Sequence, residues 1–142
     1  MKVTELKDKL IAEGCNERSF GILCRADDAY SIMKRNEKWV VFYSERGRDS
    51  DPIFTSPDED EACEYFYRHI LKQKHWHLVA FCQNENDINK IENKLKGIGV
   101  NPIRNDIPSY SNENDTRFRI FVDGKDVFEI KKHFGKVIIQ YD

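Results

Sequence analysis

The sequence has no long apolar run. No stretch approaches the roughly 18–20 consecutive apolar residues that a membrane-spanning helix needs. Residues 1–8 also lack the apolar core of a secretory signal peptide. We therefore expect a protein of the cytoplasm that has no membrane partner.

Motifs that hold phosphates or present a catalytic serine are missing as well. The chain contains no G-x-S-x-G, no G-x-x-x-x-G-K-[ST] and no G-x-G-x-x-G. The nearest approach, Gly97-Ile98-Gly99, ends a predicted helix and precedes a strand, which is the wrong order for binding phosphate. A Cys–His pair or a buried pair of carboxylates would have to meet in space, and no surrounding motif indicates either. The sequence favours a protein that is not an enzyme.

Metal-binding and disulfide patterns are sparse. His75-x-His77 has the spacing of two ligands on one face of a strand, but no third ligand follows at a suitable distance. The four cysteines include no C-x-x-C pair, and without a secretory signal they read as reduced thiols, mostly in the core. They are Cys15, Cys24, Cys63 and Cys82. We expect no metal site and no cofactor.

The composition is that of a chain that can bury a core. Of the 142 residues, 39% are apolar, 12% are aromatic and 34% are charged, with a net charge of −2. Such a chain suits one domain or two small halves, and its net charge gives no general attraction to nucleic acid. Disorder over the whole length is excluded on the same grounds.

The first half reads as a helix, a hairpin and a second helix. Apolar residues at helical spacing predict a helix over 4–13 that is capped by Gly14. Alternation predicts strands over 29–33 and 39–44, joined by a turn at 34–38. Ser56 is the expected N-cap of the second helix, with Glu59 completing a capping box.

The second half alternates strands and helices in the order βαββαβ. Strands are predicted over 77–82, 102–107, 117–122 and 136–141, and helices over 87–97 and 125–134. This order is typical of the ferredoxin-like arrangement, in which two helices cover one face of an antiparallel sheet. We therefore predict an α+β protein with a helix–hairpin–helix half at 1–74 packed on a βαββαβ half at 75–142. The link between the halves is short, so one compact unit is expected.

The strand at 117–122 raises the possibility of RNA stacking. Arg117, Arg119 and Phe121 alternate onto one face, where aromatic rings stack bases in RNA-recognition folds. However, the glycine-containing pattern of that strand is missing, and from residue 75 onward ten Lys and Arg residues balance ten Asp and Glu residues. We predict no direct nucleic-acid partner.

Acidic residues are concentrated between positions 49 and 64. That window holds seven carboxylates and no Lys or Arg: Asp49, Asp51, Asp58, Glu59, Asp60, Glu61 and Glu64. A solvated helix cap would explain the acids at 58–61, because the helix dipole favours negative charge there. A docking surface for a basic partner would explain the whole run.

Two motifs in the first half resemble bacterial immunity proteins of polymorphic toxin systems, including those of contact-dependent growth inhibition. They are Trp39-Val40-Val41-Phe42-Tyr43-Ser44-Glu45-Arg46-Gly47 and Glu61-Ala62-Cys63-Glu64-Tyr65-Phe66. The resemblance covers about residues 25–72. It implies a small cytoplasmic protein that binds a cognate toxin domain, for example a nuclease with a basic groove, and neutralises it by occluding the active cleft.

From these observations we predict two partner-binding patches. The first comprises Asp49, Asp51, Asp58, Glu59, Asp60 and Glu61, and the second comprises Tyr110, Glu113 and Asp115. For Glu45-Arg46-Gly47 we favour a structural role, with Gly47 at a positive φ and the two charges clamping the loop. The alternative function is a small-molecule-binding regulatory module of the βαββαβ type.

Overall fold

The computed structural model describes all 142 residues and divides them into two compact units, Met1–His75 and Trp76–Asp142. Both units combine helices with a mixed sheet, so the α+β prediction is confirmed. The division falls one residue beyond the predicted boundary, and the packing of the units into one body stays a prediction. None of the helices has the length and apolar character needed to cross a membrane.

The first unit consists of two helices and a five-stranded sheet. Strand β3 pairs with β2 on one edge and with β4 and β5 on the other, and β1 extends the sheet beyond β2. A single 3-10 turn, Glu17–Ser19, precedes β1. The elements are α1 (Val3–Ala12), β1 (Phe20–Ile22), β2 (Ala29–Arg35), β3 (Lys38–Glu45), β4 (Arg48–Asp49), β5 (Phe54–Ser56) and α2 (Glu59–Leu71).

Two tight turns fix the register of β3. Asn36 and Glu37, with φ of 51° and 65°, join β2 to β3, so the turn is shorter than the predicted 34–38. Arg46 and Gly47, with φ of 49° and 78°, join β3 to β4. Positive φ at both central residues is the signature of the type I′ turn, whose twist matches that of a hairpin. The positive φ predicted for Gly47 is therefore confirmed, whereas the expected clamp is wrong, because Glu45 and Arg46 are exposed and make no ion pair.

Strand β1 was not predicted, and it runs parallel to β2. The loop over residues 23–28 returns the chain from the end of β1 to the start of β2. It is tied to the sheet where the Ser31 hydroxyl accepts the Ala26 N–H at 3.0 Å. Gly21 permits this close approach, since a Cβ on it would lie 2.4 Å from the Cys24 carbonyl oxygen.

The two helices of this unit cover one face of the sheet. Leu6 and Leu10 of α1 and Phe66 and Ile70 of α2 are fully buried in the same core as Ile32, Val41 and Trp39. The predicted N-cap of α2 is wrong. Asp58 caps the helix by accepting the Asp60 N–H at 3.0 Å, while the Ser56 hydroxyl accepts the Asp58 N–H in the preceding turn. Ser56 is the last residue of β5, so the N-cap of α2 lies two residues further along the chain, at Asp58.

The second unit has the predicted βαββαβ order. Its sheet is arranged β7-β8-β6-β9, and its core is formed by α3 and α4 against residues such as Ile120 and Val122. The elements are β6 (Trp76–Cys82), α3 (Glu85–Gly97), β7 (Ile103–Arg104), β8 (Phe118–Asp123), α4 (Asp126–Phe134) and β9 (Gln140–Tyr141).

The prediction of a wholly antiparallel sheet is wrong. Strand β9 runs parallel to β6, with Ala80 opposite Gln140 and Phe81 opposite Tyr141. Alternation of apolar residues predicts a strand but not its direction, which depends on where the preceding loop delivers the chain. The apolar segment 136–141 contributes only its last residues to the ladder, because the chain after Gly135 does not join the sheet until residue 140.

Replacing Gly21 with Ala tests the packing of the loop over residues 23–28, which we call the crossover loop. The new Cβ would meet main-chain atoms of Cys24 and Ala26, and we expect a loss of about 1–3 kcal/mol in the free energy of unfolding. Urea denaturation would measure it. The matched control is Gly97→Ala at the end of α3, where an added Cβ meets nothing within 4 Å. An equal effect of the two substitutions would contradict this account of Gly21.

Candidate functional site

Asp49 is exposed, but its carboxylate is engaged by side chains of its own unit. Its carboxylate lies 2.6 Å from Arg25 Nε and 3.2 Å from Arg35 Nη2, and it accepts the Ser44 hydroxyl at 2.7 Å. The Ser44 hydrogen bond, followed by the two guanidiniums, lowers the pKa of Asp49. This carboxylate therefore ties the crossover loop and β2 to the edge of β3.

Most of the acids at the start of α2 are also engaged. Asp58 is the helix cap, and Lys2 Nζ lies 3.4 Å from Asp60 and 3.7 Å from Glu59. The hydrogen bond from the amino group of Met1, reinforced by Lys2, lowers the pKa of Asp60. Glu61 is the exception, since it is exposed and makes no ion pair.

The six acids of the first predicted patch do not form one surface. Asp49 pairs with Ser44 at one end of β3, whereas the residues before Asp58 pair with Trp39 at the other end. Five residues of strand, about 17 Å, separate these two positions. Asp51 lies between them on the edge of β3, exposed and without an ion pair.

The second predicted patch contains a buried member. Asp115 is only 8% exposed, accepts the Ser111 hydroxyl at 2.5 Å and lies 3.1 Å from Arg117 Nε, although that N–H does not point at it. Its contacts close the loop between β7 and β8 and leave little of it accessible, and its assignment to a contact surface stays a prediction. Tyr110, which is 53% exposed, and Glu113 remain accessible.

The face of β8 that suggested RNA stacking has both arginines engaged within the unit. Arg117 faces Asp115, and Arg119 Nε donates to the main-chain oxygen of Asn105 at 3.0 Å. The Arg119 guanidinium also lies 5.2 Å from the ring centroid of Phe121.

A row of five aromatic rings runs along one side of the first unit. The ring of Tyr43 lies 4.9 Å from that of Tyr30, which meets His69 edge-on at 4.3 Å. His69 stacks at 5.9 Å on Tyr65, which stacks at 4.2 Å on Phe54 with an interplanar angle of 7°. All five residues are half-buried. We call Tyr43, Tyr30, His69, Tyr65 and Phe54 the aromatic row.

The register of the sheet and the period of α2 assemble this row. Tyr30 lies directly opposite Tyr43 across the β2–β3 ladder, and Phe54 lies opposite Val41 across the β3–β5 ladder. Opposite residues in antiparallel strands share a face. Tyr65 and His69 are four residues apart in α2 and so lie one above the other. The row is thus built from four elements that are distant in sequence.

Two depressions flank the aromatic row. The hairpin depression encloses about 630 Å³ beside Tyr43 and is lined by Tyr43, Glu45, Arg46, Arg48, Asp49 and Ser50. The helix groove encloses about 440 Å³ along α2 and is lined by Phe54, Glu61, Glu64, Tyr65, Arg68, His69 and Lys72. Tyr43 of the row lines the hairpin depression, and Phe54, Tyr65 and His69 line the helix groove.

Three acidic side chains act on the Tyr43 end of the row. Partial loss of hydration, with the negative charges of Glu45, Asp28 and Asp27, raises the pKa of Tyr43. All three acids are exposed and make no ion pair. They escaped the sequence analysis because Asp27 and Asp28 lie outside the acidic run and approach Tyr43 only through the crossover loop.

His69 occupies the centre of the row without a hydrogen bond at its inner nitrogen. Its Nε2 atom is buried and has no partner, so ring contacts hold the imidazole in place. Burial, followed by the nearby positive charge of Lys72, lowers the pKa of His69.

Three of the four cysteines and His75 are buried. Burial raises the pKa of the Cys15, Cys63 and Cys82 thiols to about 11 in each case, so these sulfurs stay protonated near neutral pH. No group of three or more His, Cys, Asp or Glu side chains is placed to hold a metal ion. His75 is buried: its Nδ1 accepts the Asn16 N–H at 3.1 Å, and its Nε2 lies 2.7 Å from the Ile70 carbonyl oxygen.

Comparison of the chain with protein-family models, with curated proteins and with solved structures gave no match in any of the three searches.

Replacing Asp49 with Asn tests whether this acid is structural. The change removes the charge shared by Arg25 and Arg35, and we expect a lower urea midpoint of unfolding. Asp51→Asn, at an exposed acid without an ion pair, should leave the midpoint unchanged. Equal midpoints for both variants would show that Asp49 is no more than a surface charge.

His69 should make stability depend on pH. The folded state disfavours its protonated form relative to the ordinary pKa of 6.5, so it binds fewer protons than the unfolded chain. Stability from this group is complete above pH 6.5 and falls as the pH drops below it. Urea titrations at about pH 7.5 and about pH 5.5 should show a larger loss in the native chain than in His69→Phe, which keeps a ring there. His133→Gln, at an exposed histidine, is the control. Identical losses in the native chain and His69→Phe would contradict the assignment.

Proposed function

We propose that this chain is a bacterial immunity protein that binds a cognate toxin domain in the cytoplasm and neutralises it by occluding its active cleft. The observation that supports the proposal is the aromatic row with its two flanking depressions. Half-exposed rings in concave surroundings have the composition of the energetic centres of protein interfaces, where Tyr and Trp side chains contribute most.

The unpaired acids around the row favour a basic partner, and they stand beside Arg46 and Arg48 of the hairpin depression. Asp27, Asp28 and Glu45 lie at the Tyr43 end, and Asp51 and Glu61 are exposed, all without ion pairs. Carboxylates that are free of internal partners can steer a basic surface into place and so speed association. A nuclease toxin with a basic substrate groove fits this requirement. We retain Glu61 and Asp51 from the first predicted patch and replace its other members with the acids beside Tyr43.

For the second unit we propose a variant of the ferredoxin-like arrangement. Its strand order, β7-β8-β6-β9, and its antiparallel β6–β8 and β7–β8 pairs agree with that pattern, and β9 departs from it by running parallel to β6. Tyr110 and Glu113 form its exposed contribution to partner binding in this proposal.

A small-molecule-binding module is the second candidate. The helix groove, at about 440 Å³, lies within the usual size of ligand pockets and contains stacked rings. It belongs to the first unit, however, and not to the βαββαβ half in which this function was expected. A metabolite that raises the melting temperature of the isolated protein would favour this candidate.

Alanine substitutions in the aromatic row test the proposal. The probe is the C-terminal domain of a secreted toxin encoded immediately upstream of this chain's gene. Tyr43→Ala and Tyr65→Ala should each weaken binding by about 2 kcal/mol or more, about 30-fold, because the rings would be central contacts. Calorimetry would measure the affinity. Tyr141→Ala, at a tyrosine of the second unit that is 65% exposed, is the matched control.

Charge-reversal variants distinguish long-range electrostatic steering of the toxin domain from its direct contacts with the aromatic row. Asp28→Lys with Glu45→Lys should slow association with the toxin domain and flatten its dependence on salt, because salt screens exposed charges. Glu85→Lys, at an exposed acid of α3 outside both proposed patches, serves as the control for a reversal in the second unit. The proposal fails if the native chain does not bind or inhibit the neighbouring toxin domain, or if all of these variants bind as well as the native chain.

A further inference from the structure

The helix groove has a polarity that the proposed function does not use. Glu61, Tyr65, Arg68 and Lys72 recur at spacings of three or four residues, so they form one stripe along α2 beside Phe54. The stripe begins with acid near the N-terminus of α2 and ends with base at its C-cap.

Two charges in this stripe remain unpaired. The Glu64 carboxylate accepts Arg68 Nε at 2.9 Å, so these two side chains satisfy one another. Glu61 and Lys72 are exposed and make no ion pair. Eleven residues of helix separate them, which is about 16 Å along the axis.

The groove between these charges is aromatic. Phe54, Tyr65 and His69 present three nearly parallel rings, with interplanar angles of 7° and 8°. Ile53, which precedes Phe54, is 41% exposed. An occupant of the groove would therefore need apolar side chains in the middle and opposite charges at its two ends.

We infer that the helix groove receives an amphipathic helical segment of the partner protein that lies antiparallel to α2. A cation of that segment would face Glu61 and an anion would face Lys72. Helices favour acids in their first turn and bases in their last, so a helix with this charge order has its C-terminus beside Glu61. Antiparallel helix dipoles then attract one another as well. About three turns would span the two charges, which is the scale of helix-in-groove recognition.

The inference rests on the proposed function for the identity of the partner, but a peptide can test it alone. Two synthetic 17-residue peptides share one composition and one row of apolar anchors at helical spacing. One has Glu in its first turn and Lys in its last, and the other has the reverse order. Because their intrinsic helicities differ, the deciding quantity is the ratio of their two affinities, compared between protein variants.

We expect the native chain to bind the first peptide more tightly than the second. In the charge-swapped variant, Glu61→Lys with Lys72→Glu, the ratio of the two affinities should fall by at least about 5-fold, because exposed ion pairs contribute a few tenths to 1 kcal/mol each. The matched control swaps Glu85 and Lys96, which are also eleven residues apart on α3. Circular dichroism of the bound peptide should show a gain of helix.

An unchanged ratio in the Glu61/Lys72 swap overturns the inference, and so does an equal change in the Glu85/Lys96 swap. Binding without a gain of helix overturns it in favour of an extended segment. If the neighbouring toxin domain binds the swapped variant with native affinity, and the ratio of the two peptide affinities is the same in the native chain and the variant, the inference fails and the proposed function stands. If the ratio of the two peptide affinities falls in the swapped variant but the neighbouring toxin domain does not bind the native chain, the proposed function fails and the inference stands.

Discussion

The first unit depends on one strand that is hydrogen-bonded along both of its edges. Strand β3 pairs with β2 from Lys38 to Ser44, and β4 and β5 share its opposite edge. Its residues Trp39 and Val41 enter the core beneath the helices, while Tyr43 emerges at the end of the same face. A shift of one residue would exchange the two faces and remove both the core and the aromatic row. The surface proposed for binding is thus an extension of the folding core, since three of its rings lie on the sheet and two lie on α2.

The charges of the first unit fall into two groups with different roles. Asp49, Asp58 and Asp60 each satisfy groups of the fold: guanidiniums, a helix terminus or an ammonium group. Asp27, Asp28, Glu45, Asp51 and Glu61 have no such partners. A net charge of −2 conceals this division, since the paired acids contribute little field at a distance. The electrostatic character of the surface therefore rests on the carboxylates that have no partner within the unit.

The sequence was informative where local chemistry decides structure. Gly14 and Gly135 end their helices at φ of 80° and 73°, as their positions predict, and the apolar period locates all four helices. It was uninformative where distant segments decide. Strand β1 has three residues and a parallel neighbour, and β9 takes its direction from the loop before it. The aromatic row could be predicted only from the register of β2 on β3, which depends on a turn of two residues where five were expected. The E-A-C-x-Y-F motif did contain Tyr65, but nothing in it indicated the rings that Tyr65 would meet.

The Arg46–Gly47 turn has one consequence for how such a protein diversifies. The turn is fixed by main-chain torsion, since a Cβ at Gly47 would meet no atom within 4 Å, and the side chains of Glu45, Arg46 and Arg48 make no contact on which the hairpin relies. These three positions can change charge or size while the ladder beneath them is preserved. Under the proposed function, single substitutions at these positions would change which toxin domain is bound, and each intermediate sequence would remain folded.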